Sequence, residues 1–336
     1  MTRKALFLVV SFMVLFLVVW VLFVPSTSNR EARYTITDLG EGWYLGNQDL
    51  TLDINIPGDL LLYYAAPSGI YAKQISEIRT SDGATKQFNL NIGKNRLFRP
   101  CGFNDLGQIV GEIHSSYGSV STIILESSGE LFEIGGLGGL RGKARSINNL
   151  GQIVGSSMKD GSQGFLWSTS TSKVVIANTS GVRENEFFDI NDSGEIVGYQ
   201  YGMSGRVPIL RSATGEVHVL ETLGHGPSIA MGLNNEREVV GSSGVENRFL
   251  RLLVEIADEI AEEITGKYSP NRGFRTHAFL WKEGLLMDLN DLIPLGARWE
   301  LIQAHDINER GEIVGWGWFR GRTHVFLLTP SEAVSK

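Results

Sequence analysis

The sequence repeats a nine-residue motif, Ile-Asn-x-x-Gly-x-Ile-Val-Gly, at nearly constant spacing. The last residue of the motif falls at positions 111, 155, 198 and 241, in steps of 44, 43 and 43 residues, and then at position 315 after a step of 74. The long step equals one period plus an insertion of about 31 residues. One copy (233–241) has lost its first glycine, and another (54–62) has lost its last. The remaining copies occupy residues 103–111, 147–155, 190–198 and 307–315.

Each copy of the motif predicts a strand, a tight turn and a second strand. Apolar, β-prone residues flank a polar four-residue centre that usually closes in glycine. The asparagine can hydrogen-bond the backbone ahead of it, and glycine tolerates the positive φ of a turn followed by a bulge. We therefore interpret the repeated asparagine as a turn residue rather than as one member of a ring of ligands.

Between the turns, the same subsidiary signals return in the same order. Residues 276–281 read Thr-His-Ala-Phe-Leu-Trp and are followed by Leu-Met-Asp-Leu at 286–289, and residues 163–167 and 122–125 fit the same template. Each unit therefore predicts four short strands. A period near 43 residues with strand-type content is typical of propeller blades. Six units predict an all-β fold, a six-bladed β-propeller over residues 34–330, followed by a short tail at 331–336.

The two ends of the predicted propeller complement each other. Residues 324–328 read as a strand without a successor, and residues 34–40 read as a strand without a predecessor. We predict that the two strands lie in one blade, which closes the ring. Closure of this kind removes two exposed sheet edges that would otherwise promote aggregation.

The motif copies, the triplet His277-Ala278-Phe279 and the Asp-Leu-Gly strand together resemble the HAF-repeat family of extracellular proteins. The resemblance covers roughly residues 34–330. Partial versions of the triplet stand at Gly164-Phe165 and Val325-Phe326. The resemblance implies export and a repeat fold, and it supplies no catalytic residues.

The N-terminal region predicts a membrane segment. Residues 5–24 contain Ser11 as their only polar member and follow Arg3 and Lys4. As a helix this run spans about 30 Å, the thickness of a bilayer core. The basic flank predicts that the rest of the chain faces the periplasm or the cell exterior. Residues 1–25 are either an uncleaved signal anchor or a cleaved signal peptide, and residues 26–33 form a polar tether.

The insertion, at about residues 244–275, predicts the one helix outside the leader. Its apolar residues recur every three or four positions, and acidic residues fill the other side. The apolar face either packs on the flank of its own ring or makes residues 246–265 a docking helix for a partner, or a lid. The apolar positions are Phe249, Leu252, Leu253, Ile256, Ile260 and Ile264.

Charge and motif content exclude several functions. A net charge of −7 argues against a nucleic-acid partner. Cys101 is the only cysteine, which rules out an intrachain disulfide, and it is predicted to be a small buried side chain. No motif predicts a catalytic, cofactor-binding or metal-binding residue. His277 and His324 share one repeat slot and are expected to be structural, and no catalytic role is predicted for His305-Asp306.

Large aromatic and cationic side chains cluster after the sixth motif, in a predicted turn over residues 316–322. Aromatic rings with guanidinium groups suit stacking on sugars or contact with a protein partner. The alternative is that the tryptophans pack between blades and the arginines are solvated. The candidate ligand-binding residues are Trp316, Trp318, Arg320 and Arg322.

These features together predict an exported, membrane-anchored propeller that binds a protein or glycan ligand. The alternative is a hydrolase at the mouth of the central channel, because paired carboxylates can meet there from distant blades without a linear motif. A structural component of the cell envelope is a third reading. Convergent Asp, Glu, His or Arg side chains in the channel favour hydrolysis, whereas turn residues alone favour binding.

Overall fold

The computed structural model describes residues 32–41, 51–66, 73–87, 96–115, 120–135, 143–157, 163–168, 173–176, 185–202, 205–245 and 275–331. The chain divides into two units, Met1–Glu31 and Ala32–Lys336, and every described residue lies in the second. The predicted leader and membrane segment, most of the tether and the predicted docking helix lie outside the described residues. Within the described ranges, no helix is long and apolar enough to span a membrane.

Six four-stranded antiparallel sheets form the described structure, which confirms the predicted all-β, six-bladed propeller. We number the blades 1 to 6 in chain order; the first strand, β1 (Tyr34–Glu41), belongs to blade 6. Blade 1 holds β2 (Thr51–Ile54), β3 (Leu60–Ala66), β4 (Lys73–Arg79) and β5 (Thr85–Gln87), and blade 2 holds β6 (Arg96–Phe103), β7 (Ile109–Ser115), β8 (Val120–Leu125) and β9 (Leu131–Gly135). Blade 3 holds β10 (Lys143–Ile147), β11 (Gln152–Ser157), β12 (Gln163–Ser168) and β13 (Lys173–Ile176), and blade 4 holds β14 (Asn185–Ile190), β15 (Ile196–Gly202), β16 (Gly205–Arg211) and β17 (Val217–Val219). Blade 5 holds β18 (Ile229–Leu233), β19 (Val239–Val245), β20 (Arg275–Lys282) and β21 (Leu285–Asp288), and blade 6 adds β22 (Trp299–Ile307), β23 (Ile313–Phe319) and β24 (Arg322–Pro330).

Blade 6 contains strands from both ends of the described chain. β1 runs antiparallel to β24, with Tyr34 opposite Pro330 and Thr35 opposite Thr329. The side chain of Tyr34 is buried in the same hydrophobic cluster as Leu328. The predicted insertion is flanked by β19 and β20, and the only helix in the described ranges is a 3₁₀ turn at Leu289–Asp291.

The hydrophobic core lies mainly between neighbouring blades. The valine of each intact motif packs against the next blade, so that Val154 of blade 3 contacts a cluster containing Phe187 of blade 4. The same arrangement joins blade 6 to blade 1, where Val314 packs with Leu52. Burial of one such side chain stabilises a fold by about 1.5 to 3 kcal/mol. The Ile-Val pair of the motif therefore serves two interfaces, because adjacent strand residues face opposite sides.

The innermost strand of blades 2 to 6 carries a bulge opposite the last glycine of the motif. In blade 3 the register shifts between Ala144 and Ser146, where the strand approaches Gly155. A Cβ atom on Gly155 would lie 1.9 Å from the backbone oxygen of Lys143, so only glycine fits. Blade 1, whose motif ends in Leu62, has no such shift between β2 and β3. The bulge therefore occurs only in the blades whose motif ends in glycine. In each of these blades the bulge directs one residue into the central channel.

Candidate functional site

The asparagine of each motif builds its own turn and also ties it to the next blade. Asn148 Oδ1 accepts hydrogen bonds from the backbone N–H groups of Leu150 at 3.1 Å and Gln152 at 2.9 Å. Asn148 Nδ2 donates to the backbone oxygen of Asn191 in blade 4 at 2.9 Å. Equivalent bonds of 3.0 to 3.2 Å run from Asn104 to Asn148, Asn191 to Asn234, Asn234 to Asn308 and Asn308 to Asn55. These amides are engaged in turns and interfaces, as expected of turn residues.

The residue after each asparagine surrounds one mouth of the channel. Asn149 Oδ1 accepts from the backbone N–H of Asp105 at 3.0 Å, and Asn149 Nδ2 donates to Asp192 Oδ2 at 2.9 Å. The ring continues, because the backbone N–H of Asp192 donates to Asn235 Oδ1 at 2.8 Å and that of Asn235 to Glu309 Oε1 at 2.8 Å. This mouth is acidic, and its polar side chains connect neighbouring blades.

Two aspartates meet inside the channel where blade 6 adjoins blade 1. Asp306 Oδ2 accepts from the backbone N–H of Ile54 at 2.8 Å, and Asp53 Oδ2 accepts from that of Phe103 at 2.9 Å. The two carboxyl groups are also hydrogen-bonded to each other. Burial raises the pKa of both groups, that of Asp306 well above its ordinary value. A proton shared between them is the physical consequence, because two adjacent buried carboxylates repel.

A third aspartate, Asp189, occupies the equivalent position in blade 4. Its Oδ2 accepts from the backbone N–H of Leu233 in blade 5 at 2.7 Å, and its Oδ1 accepts from the Ser146 hydroxyl in blade 3 at 2.6 Å. Burial raises the pKa of Asp189 to about 6, although both hydrogen bonds oppose this shift. Asp189 therefore joins three blades, and its pKa of about 6 lies above the ordinary value of a carboxyl group.

The bulged residues form a layer beside the aspartates and line a cavity of about 80 Å³. Burial raises the pKa of the Cys101 thiol to about 12. Burial, with a smaller contribution from the Arg145 charge, lowers the pKa of His305 to about 4. Both groups are therefore neutral at neutral pH. With Leu52 of blade 1, this layer consists of Cys101, Arg145, Phe188, Met231 and His305.

Acid, histidine and arginine side chains thus converge in the channel, which is the observation expected of a hydrolase. The geometry of the Asp53–Asp306 pair does not fit glycoside hydrolysis, in which the two carboxyl groups stand about 5 to 9.5 Å apart. Asp53 and Asp306 are instead directly hydrogen-bonded. The cavity of about 80 Å³ is also far smaller than ordinary ligand pockets, which begin near 300 Å³. We conclude that the aspartates hold the blades together.

A motif search does not find this cluster. The three aspartates share one slot, two residues before the motif asparagine, but the other copies carry glycine or serine there. Their convergence also depends on the packing of blade 6 against blade 1, which brings residues 53 and 306 together. The one sequence signal that indicates them is the residue type at this position, which is aspartate in three copies and glycine or serine in the other three: Asp53, Gly102, Ser146, Asp189, Gly232 and Asp306.

An open cleft lies between blades 5 and 6, at the end of the propeller opposite the motif turns. Its volume is about 640 Å³. The beginnings of β20 and β22 and the β23–β24 turn form its walls. Arg275 Nη1 lies 3.5 Å from Glu300 Oε1, which leaves two of the three arginines in the lining without an acidic neighbour there. The charged and aromatic lining residues are Arg275, Arg298, Arg320, Trp299, Trp318 and Glu300.

Two of the four predicted ligand residues, Trp318 and Arg320, line this cleft. Trp318 is exposed, at 43% of the residue's surface. Trp316 is half-buried and its Nε1 donates to Gln303 Oε1 at 2.9 Å. Arg322 instead pairs with Glu41 of the neighbouring strand at 3.2 Å. The structure therefore brings two of these residues together and places the other two outside the lining.

The predicted turn over residues 316–322 needs correction, because both tryptophans belong to β23. β23 pairs with β24 as far as Phe319 opposite Arg322, which leaves a two-residue turn. Arg320 and Gly321 have φ values of 50° and 81°. Positive φ at both positions is the geometry that continues the twist of a hairpin. The long hairpin carries Trp318 into the cleft.

The two histidines of the shared repeat slot each bond an aspartate on the adjacent strand. His277 Nδ1 lies 2.6 Å from Asp288 Oδ2, and His324 Nδ1 lies 2.9 Å from Asp38 Oδ1. The hydrogen bond to Asp288 raises the pKa of His277. These pairs support the structural role expected of both histidines, and they explain why the His-Ala-Phe and Asp-Leu signals occur in one blade. In the part of the chain that the structure describes, no group of three or more acidic, histidine or cysteine side chains could hold a metal ion.

No protein-family model and no curated protein matches the chain. Among solved structures, a protein assigned as TolB from Agrobacterium tumefaciens aligns with 84% of this chain and 90% of its own, at 10% identity and a TM-score of 0.52. TolB from Acinetobacter baumannii aligns with 84% of this chain at 12% identity and a TM-score of 0.48. Acylaminoacyl peptidase from Pyrococcus horikoshii aligns with 84% of this chain at 10% identity and a TM-score of 0.45. This chain spans about half the length of the last two, 54% and 45%. The likeness to the Agrobacterium tumefaciens protein supports the propeller fold and nothing beyond the fold.

Proposed function

We propose that this protein is an exported, membrane-anchored β-propeller of the HAF-repeat type that binds a glycan or protein ligand in the cleft between blades 5 and 6. The observation that carries the proposal is the exposure of Trp318 in an open, arginine-rich cleft of about 640 Å³. That volume lies within the about 300 to 1,000 Å³ usual for ligand sites. The six motif copies and the apolar run at residues 5–24 support the family and the export.

The lining of the cleft favours a glycan that carries acidic groups. A tryptophan face stacks on the apolar face of a sugar ring, and a guanidinium binds a carboxylate through two parallel hydrogen bonds. Three arginines against one glutamate make the cleft positive, although the whole chain is acidic. The channel, in contrast, holds carboxyl groups already bonded to backbone and too little space for a sugar. Binding is therefore better supported than hydrolysis.

Two further parts of the proposal concern architecture and attachment. The shared blade of β1 and β24 is proposed to close the ring, and the hydrogen-bonded register of these strands supports it. Residues 5–24 are proposed to anchor the propeller on the outer side of the membrane. A role for residues 246–265 as a docking helix stays a prediction.

Glycan-array screening and calorimetry on the full-length protein in detergent test the binding site. Binding to uronic-acid-containing glycans is expected, and Trp318→Ala should weaken it about tenfold or more, because a buried aromatic anchor contributes about 2 kcal/mol. Tyr201→Ala removes an equally exposed aromatic, at 42%, from blade 4 and should leave affinity unchanged. Equal losses in both variants, or no loss in Trp318→Ala, would contradict the proposed cleft. Selective capture of an acidic protein instead of glycans would assign the cleft to a protein partner.

A further inference from the structure

The cavity in the channel is lined by cationic and polar side chains from opposite blades. Bulges in β10 and β22 place Arg145 of blade 3 and His305 of blade 6 in the same space of about 80 Å³. Arg99 of blade 2 also lines it. Because blades 3 and 6 lie across the ring from each other, any group bound by both residues would bridge the channel.

Two buried nitrogen atoms of this cavity lack a hydrogen-bond partner in the described part of the chain: Arg145 Nε is a donor, and His305 Nε2 is a donor in one of its two tautomers. A buried donor without an acceptor costs about 1 to 3 kcal/mol, and more when it is charged. Such a pair is therefore expected to have a bound partner.

The other polar groups around the cavity already have partners. The Thr51 hydroxyl donates to the backbone oxygen of Pro100 at 2.9 Å, and the Ser146 hydroxyl donates to Asp189 at 2.6 Å. The Cys101 thiol lies 3.6 Å from the backbone oxygen of residue 99. Within the described ranges, these groups therefore leave Arg145 Nε without an acceptor, and His305 Nε2 as well when it carries the ring proton. A water molecule would satisfy the donors but would bring protons that need acceptors of their own.

The charge of Arg145 is only partly compensated. A carboxylate oxygen of Glu186, Oε2, lies 3.8 Å from Nη2, which is too far for a direct hydrogen bond. One face of the guanidinium lies over the Phe188 ring, 5.0 Å from the ring centre. Asp189, which lines the same cavity, is turned towards Ser146 and the backbone. Arg145 Nε thus has no hydrogen-bonded carboxylate among the described residues, whereas the aspartates of the same lining accept hydrogen bonds from other groups.

We propose that this cavity binds a small monovalent anion, of the size of chloride, between Arg145 Nε and His305 Nε2. An anion accepts from both donors, when His305 carries its ring proton on Nε2, and compensates the guanidinium charge. The volume admits a halide or an ion of similar size and excludes a sugar or a nucleotide. The bound ion would link blades 3 and 6 across the channel, independently of any ligand in the cleft.

Thermal unfolding of the full-length protein tests this site. Sodium chloride replaces sodium gluconate at constant ionic strength, since gluconate is too large for the cavity. The melting temperature is expected to rise with chloride and to saturate, as mass action requires for a ligand of the native state. In Arg145→Gln the chloride concentration for half the effect should rise about tenfold or more, which is the loss expected for one charged hydrogen bond. His305→Phe should show the same loss, and it serves as the test should Arg145→Gln fail to fold.

Arg275→Gln, which changes an arginine of the cleft, is the matched control and should keep the full chloride response. Crystals soaked in bromide should show an anomalous peak within hydrogen-bond distance of Arg145 Nε and His305 Nε2. A response that is equal in wild type and Arg145→Gln would mean an adventitious salt effect only and would overturn the proposal. Water alone in the cavity of bromide-soaked crystals would overturn it as well.

Discussion

At the scale of single residues, the motif asparagine connects sequence to architecture most directly. Its Oδ1 holds the turn, and its Nδ2 reaches the neighbouring blade. The first role follows from the sequence, because asparagine at the start of a polar turn bonds the backbone ahead of it. The second does not, because the acceptor lies one full repeat away and is placed only by the packing of two blades.

Replacement of Asn148 by alanine should lower the free energy of unfolding by about 2 to 4 kcal/mol. The variant loses four hydrogen bonds, including one to Gln152 Oε1, and leaves the backbone oxygen of Asn191 without its partner in a buried position. Urea unfolding followed by tryptophan fluorescence measures the change. Leu150→Ser alters an exposed residue of the same turn, at 63%, and should change stability by less than about 0.5 kcal/mol. A cost for Asn148→Ala no larger than for this control would contradict the role of the amide.

At the scale of strands and turns, the sequence predicts the repeat well and the channel poorly. The Ile-Val-Gly and His-Ala-Phe signals fall on strands β11 and β20, as expected. The bulge in the innermost strand of blades 2 to 6 is not predicted, because nothing within those strands marks it. The bulge instead requires a glycine on the strand that pairs with the innermost strand, and Gly155 is an example. The channel layer, including His305, is therefore not recognisable before the sheets are assembled.

Gly155→Ala should destabilise the protein by about 3 kcal/mol or prevent folding. The added Cβ would lie 1.9 Å from the backbone oxygen of Lys143, so the innermost strand of blade 3 has to move. Gly202→Ala is the matched control, since its Cβ would make an ordinary contact of 3.4 Å with Val207. Urea unfolding measures the midpoints of the two variants, and the midpoint of Gly155→Ala should be clearly lower than that of Gly202→Ala. Similar midpoints would show that the bulge does not depend on glycine.

At the scale of the whole molecule, buried carboxyl groups link the blades around the channel. Asp306 joins blade 6 to blade 1, Asp53 joins blade 1 to blade 2, and Asp189 joins blade 4 to blade 5. All three have raised pKa values because they are buried. The folded protein thus binds protons more tightly than the unfolded chain. The bound protons stabilise the folded protein fully when the pH is below about 4, the ordinary pKa of a carboxyl group. This stabilisation is lost as the pH rises through the higher pKa values that the three groups have in the folded protein.

The free energy of unfolding should therefore fall by about 2 to 3 kcal/mol for Asp189 alone as the pH rises from about 4 to above 6. Urea unfolding at a series of pH values measures the slope. Asp189→Asn cannot titrate and should flatten this part of the profile, even if its stability is lower at every pH. Glu130→Gln, at an exposed position outside the channel, should leave the profile unchanged. An unchanged slope in Asp189→Asn would show that this carboxyl group does not titrate differently in the folded state.

The closed ring is tested most directly by a disulfide between β1 and β24. Thr35 and Thr329 stand opposite each other, a placement that puts their Cα atoms within the range a disulfide spans. In a Cys101→Ala background, oxidised Thr35→Cys/Thr329→Cys protein should yield one intramolecular cross-linked peptide by mass spectrometry, and its unfolding midpoint should rise. Thr35→Cys/Ser212→Cys should yield none. Free thiols, or cross-links only between molecules, in the Thr35→Cys/Thr329→Cys protein would contradict a propeller closed by its two terminal strands.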